Sequence, residues 1–211
     1  MGFKAIIFDL DGVICFTDEY HYLAWKATAD SIGVPFDRTV NNRLRGVSRM
    51  ESLDIILEKY PQPLSMAEKE VLAEQKNRQY QDYLRGMTTS DLPTEVKETL
   101  DGLRQKGLRL AIGSSSKNTP LILHQIGLDG YFDAVADGNG VKRSKPAPDV
   151  FLLAAELLNI DPADCLVVED AVSGAQAAHA AGMKAACVGD AAQNQAGDYN
   201  MGSIRELLEL V

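Results

Sequence analysis

Short, almost wholly apolar runs recur along this chain, separated by segments whose apolar positions fall three or four residues apart. Residues 4–8, 108–112, 165–168 and 185–188 are runs of the first kind, with a weaker one at 133–136. None alternates as a half-exposed strand would, so the pattern predicts parallel strands covered on both faces. Residues 95–105, 120–126, 150–158 and 173–181 read as helices, and Gly107, Gly127 and Gly182 read as stops after three of them. Strand alternating with helix predicts βαβ units and a right-handed α/β fold with a parallel sheet.

The stretch from about 16 to 87 breaks that rhythm. It holds no strand pattern but three helical ones, at 18–32, 49–60 and 67–85. Ser48-x-x-Glu51 and Ser65-x-x-Glu68 each fit a capping box and fix two of the helix starts. An all-helical insertion after the first strand predicts a cap, residues 16–88, on an α/β core of 1–15 and 89–211. Two short hinges are expected near 15–17 and 88–92. Such a cap would lie over the carboxyl ends of the strands, where ligands bind in open parallel sheets.

Four strand ends carry polar clusters. The first run leads into Asp9-Leu10-Asp11-Gly12, whose two carboxylates can face one ligand, although Asp-Gly is also a common turn. Gly113-Ser114-Ser115-Ser116-Lys117-Asn118 offers hydroxyls and open N–H groups to an anion, or else a capping loop with Ser116 as N-cap. Ser144-Lys145-Pro146 places a cation before a helix. Glu169-Asp170 ends another apolar run, and carboxylates there suit magnesium, a hard cation that takes oxygen ligands. Nucleophile, anion donors, cation and metal ligands at successive strand ends form a joint pattern that independent turns would not supply.

That pattern resembles the haloacid dehalogenase superfamily of phosphotransferases from end to end. The resemblance implies a modified Rossmann core with a helical cap. It also implies Asp9 as nucleophile, Asp11 as general acid and base, and Ser114 and Lys145 as holders of the transferring phosphoryl group. Magnesium would be bound by Asp9, the Asp11 carbonyl and Asp170, with Glu169 close by. A closer likeness, to the β-phosphoglucomutase family, runs through Glu19-Tyr20-His21, Ala24-Trp25-Lys26, Gly46-Val47-Ser48-Arg49, Ser52-Leu53, Lys76-Asn77 and Ser144-Lys145-Pro146-Ala147-Pro148-Asp149. It implies a substrate-binding set of Thr17, His21, Trp25, Gly46, Val47, Ser48, Arg49, Ser52, Lys76, Ser114, Ser115, Ser116, Lys117, Asn118 and Lys145. It also implies β-glucose 1,6-bisphosphate as intermediate and activator.

Within that set, Trp25 reads equally as cap core or as a neighbour of the sugar. His21 reads as a hinge residue contacting Asp11 or as a solvated helix histidine, and Lys76 as a sugar contact or a surface lysine. Arg49, in the first turn of a helix, opposes the helix dipole unless an anion is present, which fits a second phosphate beside Ser116, Lys117 and Asn118. Two phosphate sites favour a mutase over a sugar-phosphate phosphatase, the alternative reading. Cys15-Phe16-Thr17 stands where these mutases usually read Thr-Asp-Thr, so the hinge lacks an acid.

Composition narrows the partners. The 211 residues are 45% hydrophobic and 24% charged, with a formal charge of −9. That balance argues against a nucleic-acid binder but not against local binding of an anionic metabolite. No apolar run is long enough to span a bilayer, no secretory leader pattern is evident, and Cys15, Cys165 and Cys187 lack metal or disulfide spacing. A cytoplasmic monomer acting on small sugar phosphates is expected, with no nucleic-acid or membrane partner.

Overall fold

The structure, a computed structural model, describes residues 2–44 and 47–211. Among these residues six strands form one wholly parallel sheet: β1 (Ala5–Phe8), β2 (Arg109–Gly113), β3 (Ala134–Ala136), β4 (Cys165–Glu169), β5 (Lys184–Cys187) and β6 (Tyr199–Asn200). Their order across the sheet is β3-β2-β1-β4-β5-β6. Strand β1 therefore lies between β2 and β4, and the strand order reverses beside it, the place where an open sheet leaves a crevice at its carboxyl edge. Every residue of β1 and of β4 is buried, which explains runs with no alternation.

Helices cover both faces. On one, α5 (Thr94–Gln105) and α6 (Thr119–Gln125) pack on Ile6, Phe8, Leu110 and Ile112; on the other, α7 (Asp149–Leu158) and α8 (Val172–Ala180) pack on Ile7, Ala111 and Val167. Gly107, Gly127 and Gly182 take φ values of +82°, +76° and +73°, as helix stops require. Two short helices, α9 (Gly189–Gln193) and α10 (Leu207–Leu210), complete the carboxyl-terminal third. No helix among the described residues is long and apolar enough to cross a membrane.

Between β1 and α5 lie α1 (Asp18–Ser31), α2 (Arg38–Asn42), α3 (Arg49–Leu57) and α4 (Met66–Arg85). Trp25, Ala29, Phe36, Leu53, Ile56 and Ala73 form a hydrophobic cluster of their own there, while Ala24, Tyr80 and Leu84 join the cluster beneath the sheet. Both expected capping boxes are present, on Ser48 and Ser65. Helix α3 stops at Leu57 rather than at 60, because the Tyr60 N–H turns back to the Leu57 carbonyl and Pro61 follows. The single-turn α2, capped by Asp37, the two-residue edge strand β6 and the short helices α9 and α10 go beyond the sequence reading.

Candidate active site

Asp9 follows the last residue of β1, and its N–H extends the ladder to the Val168 carbonyl at 2.9 Å. The chain then turns back on itself, with the Gly12 N–H on the Cys15 carbonyl at 2.7 Å. Gly12 has φ of +90°, and a Cβ there would lie 2.2 Å from Asp170 Oδ2, so this turn accepts no side chain. The loop thereby brings Asp9, Asp11 and Asp170 to one crevice.

Lys145 arrives from the loop before α7 and is 2% exposed. Its ammonium donates to Asp9 Oδ1 and to Glu169 Oε1, each at 2.5 Å. The other oxygen of Glu169 accepts the N–H groups of Asp170 and Ala171, each at 2.9 Å. Glu169 thus anchors the lysine and shapes the loop that presents Asp170. Gly174 makes room for it, since a Cβ there would stand 1.9 Å from the Glu169 carboxylate. Burial opposes the charge on Lys145, but the carboxylates of Asp9 and Glu169 outweigh it and hold its pKa above the ordinary lysine value.

Ligand oxygens of Asp9, Glu169 and Asp170 all lie within 4.8 Å of one another, and all three residues are buried. Three carboxylates outnumber the one ammonium among these four groups. Burial, only partly offset by Lys145 and reinforced by the neighbouring acids, drives the Asp9 carboxyl well above the usual range. An all-oxygen, net-negative donor set of this kind fits a hard divalent cation such as magnesium.

Asp11 faces away from this cluster towards the helices. Its Oδ1 accepts the Thr17 hydroxyl, and Thr17 in turn accepts the Tyr80 hydroxyl at 3.0 Å. Burial pushes the Asp11 carboxyl up to about 6, against the pull of that Thr17 bond. Thr17 itself is fully buried behind Asp11 and is not among the residues that line the cavity.

A cavity of about 650 Å³ opens between the strand ends and the helices. Asp9, Asp11, Ser114, Lys145, Glu169 and Asp170 line its floor, and His21, Trp25, Val47, Ser48, Arg49, Ser52 and Lys76 line the opposite side, with Ser115, Ser116, Lys117 and Asn118 at one end. Gly46, also expected here, lies outside the described residues. Tyr80, Glu74 and Lys142 line it too, and the sequence reading missed them. Tyr80 had a signal, standing four residues from Lys76 and hence on the same helical face.

Several side chains behave differently from expectation. His21 does not bond to Asp11; its Nδ1 meets Lys76 Nζ at 2.9 Å and its ring lies 4.1 Å from that of Tyr80. Burial, with the charges of Lys76 and Arg49, pulls the His21 pKa well down, so a neutral imidazole accepts from the lysine. Lys76 does not face solvent; it is 3% exposed, with its ammonium 4.3 Å from the Tyr80 ring centroid and 5.0 Å from that of Trp25. Burial, then the Arg49 charge, lowers its pKa to about 7, against the pull of the Asp11 carboxylate. Trp25 belongs both to the helical cluster and to the cavity wall.

Arg49 sits at the start of α3 with Glu74 at 3.9 Å, a loose partner that partly supplies the anion its position calls for. Ser48 spends its hydroxyl on the Glu51 N–H as a cap. In the serine loop, Ser114 Oγ accepts the Ser116 N–H at 3.1 Å and Ser116 Oγ accepts the Asn118 N–H at 3.2 Å. The N-cap of α6 is therefore Asn118 and not Ser116, and its side chain caps nothing because α4 engages it.

This crevice, with acids at the ends of β1 and β4 and a serine at the end of β2, belongs to a known class. Residues 3–182 match the haloacid dehalogenase-like hydrolase family, and the chain is a member of it. Within that family the chain is 44% identical to a β-phosphoglucomutase of Bacillus subtilis, over 88% of this chain and 83% of that one. A crystal structure of β-phosphoglucomutase from Clostridium difficile superposes with a TM-score of 0.91 at 36% identity, covering 97% of this chain and 93% of that one. A phosphorylated carbohydrates phosphatase of Thermotoga maritima is 33% identical over 86% of this chain and 82% of its own length.

Proposed function

We propose that this chain is a magnesium-dependent β-phosphoglucomutase, interconverting β-D-glucose 1-phosphate and β-D-glucose 6-phosphate through β-glucose 1,6-bisphosphate. The observation that carries the reading is that one cavity is lined both by Asp9, Ser114 and Lys145 and by a second cation, Arg49 of α3, with the Ser116–Asn118 turn beside Ser114. A bisphosphate that must bind in either orientation needs two phosphate-binding groups, whereas a phosphatase needs one. The residues of α1–α4 act in this account as a cap, with 1–15 and 89–211 as the catalytic core.

Asp9 would attack phosphorus and carry the phosphoryl group as an aspartyl-phosphate, and the role of Lys145 is to offset the repulsion between that carboxylate and an anionic substrate. Ser114 and the open N–H groups of its loop orient the phosphoryl oxygens, positioning being the main demand of this transfer. Asp9, Asp170 and the Asp11 carbonyl would hold magnesium, with Glu169 adjoining, and the ion when bound supplies further charge stabilisation to the phosphoryl oxygens. Asp11 would protonate the departing sugar oxygen and deprotonate the arriving one. A pKa near 6 lets one carboxyl do both near neutrality, a contribution of about two to four powers of ten. Lys76, held on aromatic faces beside a neutral imidazole, offers donors to sugar hydroxyls between the two phosphates.

The test is to supply β-glucose 1-phosphate, magnesium and a catalytic amount of bisphosphate, and to follow the products by phosphorus NMR. Glucose 6-phosphate is the expected product. Release of inorganic phosphate in its place would favour the phosphatase reading.

A further inference from the structure

Helix α4 is tied to α6 by side-chain amides at two levels. Gln125, the last residue of α6, donates through Nε2 to the carbonyls of Leu84 at 3.2 Å and Arg85 at 2.8 Å, holding the end of α4. At the start of α6, Asn118 bridges two residues of α4 that lie one turn apart. Its Nδ2 donates to Asn77 Oδ1 at 3.0 Å, and its Oδ1 accepts Gln81 Nε2 at 2.9 Å. Asn118 and Asn77 are 7% and 8% exposed, so water is a poor substitute for either bond.

This upper tie reaches the active site by a short ladder. The Asn118 N–H bonds Ser116 Oγ, and the Ser116 N–H bonds Ser114 Oγ. Whatever fixes Asn118 therefore fixes the serine hydroxyls at the end of β2. On α4, Asn77 and Gln81 each follow a cavity residue, Lys76 and Tyr80.

We infer that Gln81 is a positioning residue for the reaction. Gln81 does not line the cavity. It acts by holding the Asn118 amide, and through it the Ser114–Asn118 loop, in register with the Lys76 face of α4. The inference rests on the reading of this cavity as a sugar-phosphate site.

The amide chemistry supplies a discriminating test. Gln81, Asn118 and Asn77 form a polar chain in which each amide donates to the next, and reversing the chain keeps both bonds. Gln81→Glu can only accept, so Asn118 and Asn77 flip together and the clip survives. Gln81→Met keeps length and packing but leaves the oxygen of the buried Asn118 amide without its donor.

Two quantities are measured on the full chain: hydrogen exchange at the Ser116 and Asn118 amides, and kcat and KM for β-glucose 1-phosphate. Gln81→Met is expected to speed exchange at both amides about tenfold and to raise KM by a similar factor, with kcat changed less than about twofold. Gln81→Glu is expected to match the wild type in both. The reverse ranking, with the Met variant normal and the Glu variant impaired, would assign Gln81 to packing and overturn the inference, as would unchanged exchange in Gln81→Met. The exchange measurement decides the clip even if the wild type is inactive on that sugar, an outcome that counts against the functional reading alone.

Discussion

The Lys145 ammonium touches the Asp9 carboxylate at 2.5 Å although the two residues stand 136 positions apart in the chain. Both are buried, and Lys145 shares its charge with Glu169 at the same distance. Removing one partner of such a cluster strands the others in a low-dielectric setting. Lys145→Met is therefore expected to lose about 3 kcal/mol of stability in magnesium-free buffer, as well as its turnover. Urea unfolding with and without magnesium checks this, because magnesium should recover more stability in the variant than in the wild type.

Lys76 gives a pH dependence whose sign is fixed by its environment. Its pKa of about 7 in the folded chain lies below the ordinary lysine value of 10.5. Between these pH values the unfolded chain holds the proton and the folded chain does not, so the contribution of Lys76 to stability rises with pH across that window. Below pH 7 both states are protonated, and the folded state carries the full penalty of a buried cation. Lys76→Met is thus expected to be more stable than the wild type at pH 6, with a gain that shrinks by pH 9. Denaturation midpoints of both proteins at the two pH values decide it, and a gain that grows with pH would contradict the assignment.

Asp11→Asn should retain magnesium and sugar-phosphate binding, since the expected metal contact of Asp11 is its backbone carbonyl. Its turnover should fall by about two to four powers of ten. Calorimetric binding measured beside kcat separates these effects, and near wild-type kcat would remove Asp11 as the acid and base.

Arg49→Ala probes the second cation of the cavity. Acetyl phosphate carries one phosphate and needs no distal site, whereas the sugar bisphosphate does. The substitution should reduce mutase flux by about one to two powers of ten, the worth of one charge-assisted bond, and leave phosphorylation by acetyl phosphate near the wild-type rate. Equal losses in both assays would indicate general damage to the fold.

Strands β1 and β4 were legible because they are buried along their whole length and therefore read as unbroken apolar runs. Ser48 and Ser65 were legible because a capping box is a local pattern, four residues long. Helix α2 and β6 were not, since one turn at Arg38–Asn42 and two residues at Tyr199–Asn200 leave no periodicity to read. Asp9, Asp11, Ser114 and Asp170 stood out from their places after apolar runs, and Lys145 from its place in the loop before a helix. Their partners were hidden, because the Lys145–Glu169, His21–Lys76 and Asn118–Asn77 contacts join segments 24, 55 and 41 residues apart. A distant contact leaves no spacing in a single sequence, and Gly174, which admits the Glu169 carboxylate, looks there like any helical glycine.

In the proposed reaction Asp9 passes a phosphoryl group to a sugar phosphate. The most direct measurement loads the enzyme with labelled phosphate from acetyl phosphate and chases it with β-glucose 6-phosphate. Label is expected on Asp9 before the chase, none in Asp9→Asn, and rapid appearance of label in glucose bisphosphate afterwards. Label that leaves only as inorganic phosphate, at a rate indifferent to the sugar, would contradict it.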